Sequence, residues 1–324
     1  MKKNLLKKTR IISVGGMTED VFCSIDDTRL VDNPRSSGTK KLLAFEYGGK
    51  VGISELRICC GGGAANAAVA FARLGFSSSI IGDAGEDDRG RRILANLRNN
   101  GVDTRLVSLH RQAQSGVSYI LVTPNREHVV FTYRGANAIS VLSPAEASAL
   151  RSAAWTYVTS LSGNWKKVLK PLFASAANVA WNPGREQIAA GLKALSPFLK
   201  KTTVLIVNRA EASALVASGK GKTSLKNDMR SLLVALRSAG PLAVVITDGE
   251  HGAEAYDGYD FYKQTARRVP VTVNTTGVGD AFGSSFIAGL EMYNNNIAKA
   301  LVLAADNAAR VVRGHGAQDG LRKA

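Results

Sequence analysis

The sequence predicts an α/β fold: a doubly wound, mostly parallel sheet flanked by helices, with a small β-sheet lid over the crevice at the strand ends. Three observations carry this. Apolar runs of strand length alternate with helix-period segments through most of the 324 residues. Two glycine-rich turns, at Gly61-Gly62-Gly63 and around Gly277-Val278-Gly279, each feed a small-residue helix. Two β-rich insertions, 21–60 and 111–134, break the alternation.

Along the chain, a first strand at 11–14 leads into Gly15 to Asp20. Residues 21–25 and 52–60 read as extended, on either side of a polar loop through Asp32-Asn33-Pro34-Arg35-Ser36-Ser37-Gly38. The glycine turn then opens a helix at 64–74 that Gly75 stops. Strand 79–82 and helix 88–99 follow, and strands 117–122 and 129–133 hinge at Pro124-Asn125. Helix 144–152, strands 155–159 and 179–181, helix 185–195, strand 203–207, helix 225–238 and strand 242–247 restore the alternation. A strand-like run at 269–273 precedes helices 280–293 and 297–313. The expected organisation is a main domain of 1–20, 61–110 and 135–324, with 21–60 and 111–134 as the lid. No internal repeat or low-complexity segment is present.

Composition bounds the function classes. A hydrophobic content of 45% buries a full core, as one large domain with an appended subdomain or as two domains. No apolar run approaches the ~20 residues that span a bilayer, so no membrane partner is expected. The basic first ten residues return to charge after two leucines, unlike a signal peptide. Cys23, Cys59 and Cys60 make no disulfide framework and show no metal spacing, so reduced thiols and a cytoplasmic location are expected. The formal charge of +16 could serve nucleic acid or concentrate anionic nucleotides. Beyond the first ten residues the basic residues are scattered, and aromatics are only 6%, so no stacking platform is evident. A solvated basic face is the simpler reading, and no nucleic-acid partner is expected.

Asn274-Thr275-Thr276-Gly277-Val278-Gly279-Asp280-Ala281-Phe282 joins the 269–273 run to a helix through two glycines. Glycines let backbone N–H groups converge on one point, and the helix adds the positive end of its dipole. Asp280, at the lip, can accept a proton from an attacking hydroxyl. A plain strand-loop-helix connection can carry the same glycines and acid, so this segment alone leaves both readings open. No Walker-type phosphate loop is present as an alternative cradle. His110, His128, His251 and His315 pair with no Ser or Cys nucleophile in the sequence pattern and are read as structural.

Taken with Gly61 to Gly75, this stretch resembles the two signature regions of the ribokinase (phosphofructokinase B, pfkB) family of sugar and nucleoside kinases. Those regions are an N-terminal glycine pair with a nearby Asn, here Gly62, Gly63 and Asn66, and a C-terminal D-T-x-G-x-G-D. Further matches occur in order: Gly15 to Asp20, Tyr133-Arg134-Gly135-Ala136-Asn137, Asn182-Pro183, Asn208 to Ala212, Thr247-Asp248-Gly249, and Arg313-Gly314-His315-Gly316-Ala317. The resemblance spans about residues 10 to 318.

It implies an ATP-dependent phosphotransferase using Mg²⁺. Asp280 would be the base, and the amides of Gly277, Val278 and Gly279 would cradle the transferring group. Asp20, Gly62, Gly63 and Asn66 would surround the acceptor, Asn66 offering both a donor and an acceptor. Asn208 and Glu211, three residues apart at a helix start, would organise Mg²⁺ and phosphates through water; on the residues alone, Asn208 merely caps that helix and Glu211 complements its dipole. Thr247 and Gly249 would touch the nucleotide, although Gly249 is equally turn chemistry, and Asn307 would line the adenine pocket. In relatives a monovalent cation such as K⁺ sits beside the anion loop, held by the first Asp of the signature, the Thr two residues on and carbonyls of the C-terminal segment. Here those positions are Asn274, Thr276 and about 312–316, and the Asn for Asp departure weakens or removes that site. The acceptor is expected to be a small sugar phosphorylated at a primary hydroxyl, with a nucleoside as the alternative. Gly63, where some sugar-specific members have Lys, adds weight to the nucleoside. A nucleotide-sensing protein without turnover is a third reading, opposed by the intact Gly277-Val278-Gly279-Asp280. The lid is also the surface on which a homodimer would form.

Overall fold

The structure, a computed structural model, describes residues 9–26, 29–32, 41–124, 127–138, 140–219, 228–270 and 272–323. The basic start up to residue 8, most of the polar loop from Asn33, the hinge residue Asn125, Val271 and the first turn expected at 225–227 lie outside the described residues.

The N-terminal third forms strands β1 (Arg10–Val14), β2 (Thr18–Ser24), β3 (Arg29–Asp32), β4 (Lys41–Ala44) and β5 (Glu55–Gly61), then helix α1 (Gly63–Arg73), β6 (Ser77–Gly85), α2 (Asp88–Asn99) and β7 (Val107–His110). Strands β8 (Gly116–Val122) and β9 (His128–Tyr133) precede α3 (Pro144–Arg151), β10 (Trp155–Val158), α4 (Trp165–Ser175), β11 (Val179–Trp181), α5 (Arg185–Leu199) and β12 (Val204–Asn208). The remainder is α6 (Arg209–Gly219), α7 (Met229–Ser238), β13 (Ala243–Thr247), β14 (Ala253–Tyr256), β15 (Phe261–Gln264), α8 (Val278–Met292) and α9 (Ile297–Val311).

Nine of these strands make the main sheet, in the order β15-β14-β13-β12-β11-β10-β1-β6-β7. From β13 to β7 every neighbouring pair is parallel, and only β14 and β15 are antiparallel additions. Parallel strands are buried on both faces and read as continuous apolar runs, which is why their sequence signal is strong. One face packs Ile12, Val158, Trp181 and Val207 against α3 to α7; the other packs Ile11, Trp155, Tyr157 and Val245 against α1, α8 and α9. No helix among the described residues is long and apolar enough to cross a membrane.

The insertions meet as expected in a second sheet, ordered β5-β2-β8-β9. Its central pair, β2 and β8, is parallel, so the two insertions are joined side by side rather than as separate hairpins. β3 and β4 form a further exposed ribbon.

Several elements differ from expectation. β2 starts at Thr18, so Asp20 lies inside a strand of the small sheet rather than in a turn after β1. Residues 269–270 and 272–273 form no strand; the amides of Val273 and Asn274 both donate to Val312 O, at 2.9 and 3.3 Å, so this apolar run is fastened to the end of α9 instead of a sheet edge. α4 was not anticipated, since Pro171 interrupts its pattern. α5 runs four residues beyond the expected end, bending at Gly191, where φ is 79°.

Candidate active site

α8 begins at Gly277, whose φ of 77° is left-handed, a conformation glycine takes at no steric cost. A Cβ there would also sit 2.3 Å from Ala317 Cβ, because the C-terminal segment passes directly against the loop. The first amide bonded along the helix is that of Ala281, to Gly277 O at 2.9 Å. Among the described residues the amides of Gly279 and Asp280 have no acceptor, as helix starts dictate. Side-chain space at Gly279 is open to 4 Å, leaving room for an anion. Val278 differs from expectation: its amide turns back to Thr275 O at 3.4 Å and is partly spent inside the loop.

Asp280 stands on the first turn of α8, partly open to the cleft. Asn66 Nδ2 donates to its Oδ2 at 2.8 Å. Burial pushes the Asp280 carboxyl up, the Asn66 hydrogen bond opposes this, and the nearby charge of Asp20 adds to the rise. Asp20 is itself buried and also pushed up, chiefly by desolvation, while hydrogen bonds from Thr18 Oγ1 (3.0 Å) and Ser118 act against it. The glycine turn makes this possible: a Cβ at Gly61 would fall 2.0 Å from Asp20 Oδ2, one at Gly62 2.6 Å from Gly16 O, and one at Gly63 3.3 Å from Asp280 Oδ1. Asn66 does not present both ends of its amide to the cleft. Its Oδ1 accepts from Gln318 Nε2 at 3.2 Å, so the residue is spent largely on holding Asp280.

On the other side of the strand ends, Asn208 and Thr247 are register partners at the C-terminal ends of β12 and β13. Asn208 Oδ1 accepts from Glu211 N and Glu211 Oε2 accepts from Asn208 N, both at 2.9 Å, which is a reciprocal capping box. Burial pushes the Glu211 carboxyl up. No group of three His, Cys, Asp or Glu side chains is close enough to hold a metal alone among the described residues. One carboxylate with an oxygen to spare still suits Mg²⁺, which keeps waters and shares phosphate oxygens. Gly249 sits just beyond β13 with φ 54° and open space around a would-be Cβ. Asn307 is not in a cleft: it is fully buried, with Nδ2 donating to Ser285 Oγ at 2.6 Å and Oδ1 accepting from Arg322 N at 2.9 Å. It ties α9 to α8 and to the tail, and so does not line an adenine pocket.

The monovalent-cation set does not fit this chain. Asn274 Oδ1 accepts from Thr276 N at 2.8 Å, and Asn274 Nδ2 donates to His315 O at 2.9 Å. The carbonyl that would face a cation already accepts an N–H, as does Val312 O.

Three participants carried no sequence signal of their own. Gln318, one residue past the Gly316-Ala317 match, holds Asn66. Thr159 lies at 3.1 Å from a Cβ at Gly63. Tyr157 is fully buried behind the site, its phenol pushed up by desolvation and by Asp280. The cleft between the small sheet and the anion loop encloses about 750 Å³ and is lined by Phe22, Arg57, Ile120, Val273, Asn274 and His315, among others.

The profile of the pfkB family of carbohydrate kinases matches residues 38–324. The ATP-dependent ribose-1-phosphate kinase of Halopiger xanaduensis is 26% identical over 280 residues, covering 86% of this chain and 84% of that protein. The fold superposes on Arabidopsis thaliana ribokinase complexed with ribose and ATP at a TM-score of 0.80 and 18% identity, covering 97% of this chain and 96% of that one. It superposes on the Burkholderia thailandensis nucleoside kinase in complex with inosine at 0.77 and 19%, covering 96% and 94%. With its glycine turn, its anion loop and a family match over most of its length, the chain belongs to the pfkB family of carbohydrate kinases.

Proposed function

We propose that the chain transfers the γ-phosphoryl group of ATP to a hydroxyl of a small sugar seated between Asp20 and Asp280. The observation that supports this is the placement of the two carboxylates, near enough for the charge of Asp20 to raise Asp280, against walls of bare glycine backbone. A polyhydroxy acceptor is a set of O–H donors, and two acids offer only acceptors while ionised.

In this reading the acceptor hydroxyl passes its proton to Asp280 Oδ1, since Oδ2 is taken by Asn66. Its oxygen forms the bond to the γ-phosphorus as the bond to the β–γ bridging oxygen breaks and ADP departs. The raised Asp280 carboxyl is a better base than an ordinary carboxylate while it stays ionised. The open amides at Gly279 and Asp280 stabilise charge on the transferred group. Magnesium, when bound, neutralises the phosphate oxygens, and Glu211 would hold it through water. With Asn274 Nδ2 donating to His315 O, the amide engages a carbonyl that a monovalent cation would need, so in this reading turnover does not depend on K⁺.

One observation favours a nucleoside: Phe22, Ile120 and Val273 line the cleft beside the anion loop and give a flat base an apolar slot. A panel of pentoses, hexoses and nucleosides assayed for ADP release separates the two. The sugar reading expects the highest kcat/KM on a free sugar. A nucleoside exceeding every sugar by about tenfold, or 1.4 kcal/mol, would overturn it.

A further inference from the structure

The C-terminal ends of α1 and α9, with the segment that follows, border a second, open hollow of about 800 Å³, lined by Arg73, Arg310, Arg322 and Lys323 with a single acid, Asp319. Arg73 and Arg310 complement the negative ends of their own helices. Arg322 and Lys323 belong to neither helix and make the excess. Among the described residues the side chains of Arg310, Arg322 and Lys323 form no hydrogen bond or ion pair. Asp319, whose Oδ2 also accepts from Gly316 N at 2.8 Å, offsets one of the four positive charges and leaves an excess.

The tail is fastened, not frayed. At Gly320, with φ 73°, a Cβ would fall 2.5 Å from Arg310 O, so the chain lies directly on the end of α9, and Arg322 N is bonded to Asn307 Oδ1 at 2.9 Å. Like charges gathered on fixed backbone repel, and a bound anion relieves that repulsion. Guanidinium forks suit phosphate oxygens in particular.

The hollow is also joined to Asp280. Arg73 Nη1 donates to Gln318 O at 2.6 Å, while its Nε and Nη2 donate to Asn100 Oδ1 at 3.0 and 2.8 Å. Gln318 Nε2 donates to Asn66 Oδ1 at 3.2 Å, and Asn66 Nδ2 to Asp280 Oδ2 at 2.8 Å. An anion in the hollow competes with Gln318 O for the Arg73 guanidinium, and so loosens the donor that holds Asp280.

We propose that this basic hollow binds a small phosphate-bearing anion, and that Arg73, Gln318 and Asn66 act as positioning residues that carry its occupancy to Asp280. Binding stands on the hollow alone. The coupling rests on Asp280 being the base, so the two are measured separately.

Inorganic phosphate and pyrophosphate are titrated into the full chain by calorimetry at fixed ionic strength, with chloride as the balancing anion. Saturable binding is expected, weakened by about tenfold or more in Arg310→Ser/Arg322→Ser, the loss for each charge-assisted contact being of that order. Should that variant melt early, Arg322→Ser/Lys323→Ser, confined to the tail, gives the same reading. No saturable binding, or equal affinity in wild type and both variants, overturns the site and places the anion elsewhere. For the coupling, bound phosphate is expected to lower kcat and move the acid limb of the pH–rate profile upward, with KM for ATP unchanged. Gln318→Ala should still bind phosphate while kcat no longer responds; a persisting response overturns the relay. Wild-type turnover in Asp280→Asn would sink the relay and the proposed mechanism together, and leave the calorimetric result to stand or fall alone.

Discussion

Among the described residues Asp280 is gripped by a single side-chain donor, and it is pushed upward by burial and by a second acid, so its chemistry is open to single substitutions. Asp280→Asn should keep the fold and ATP affinity while cutting turnover by about 10²–10⁴-fold, the usual contribution of a positioned base. The base must be ionised, and a raised carboxyl protonates earlier as pH falls. The acid limb of kcat/KM should therefore lie above the ordinary Asp value of about 3.9, and Asn66→Leu, which removes the opposing hydrogen bond, should move it higher still. A profile that stays flat down to the ordinary value would assign the proton to another group. Asn274 makes the opposite kind of case, in which a side chain takes an ion's place. Asn274→Asp loses the donor to His315 O and sets a carboxylate beside two carbonyls, Val312 O and His315 O. Its activity should rise on titration with potassium while the wild type stays flat, and identical curves would count against the substitution of amide for ion.

At the scale of elements, α8 owes its start to one residue. Gly277→Ala would force a left-handed alanine, costing roughly 1–2 kcal/mol, and drive a methyl to 2.3 Å from Ala317 Cβ. Thermal melting should fall by several degrees and turnover with it. A melt unchanged from wild type would mean that the loop can reverse elsewhere. The start of α6 is built differently, through the Asn208–Glu211 box. The cap is present, and it uses only Oε2 of Glu211, which leaves the other oxygen for the hydrated ion of the proposed mechanism.

Across the whole molecule, the register of the small sheet gives its two faces different tasks. Asp20, Arg57 and Ser118 are mutual partners or near neighbours in register on the face toward the cleft. Val21, Ile58, Tyr119 and Phe131 lie level on the opposite face, where Ile58, Tyr119 and Phe131 remain exposed. If the sheet is a lid, its cleft face gains burial by closing on an acceptor, so amide exchange in β2, β5, β8 and β9 should slow when the best acceptor is saturating. No change in those strands would deny it the part of a lid. A contiguous apolar outer face on a water-facing sheet also suits a second copy. Phe131→Glu should shift sedimentation toward the monomer, and a monomeric wild type would refute the pairing.

The buried parallel strands were legible because burial on both faces forces continuous apolar runs, and the glycine turn and anion loop were legible because close backbone approach admits only glycine. The outer strands β14, β15 and β7, and the Pro-bearing α4, lack such one-residue constraints and are not legible in the sequence. By itself the sequence determined the fold class, the order of its strands along the chain and the identity of the acid on the anion loop, all properties written in local pattern. Only the tertiary structure decided that Asn66 serves Asp280 more than the acceptor, that Asn307 is internal, that the Asn274 amide caps a carbonyl, and that four cations meet at the far end of α1. Each of those depends on which of several possible partners a polar group finds, and that choice is made between residues 15 to more than 200 positions apart.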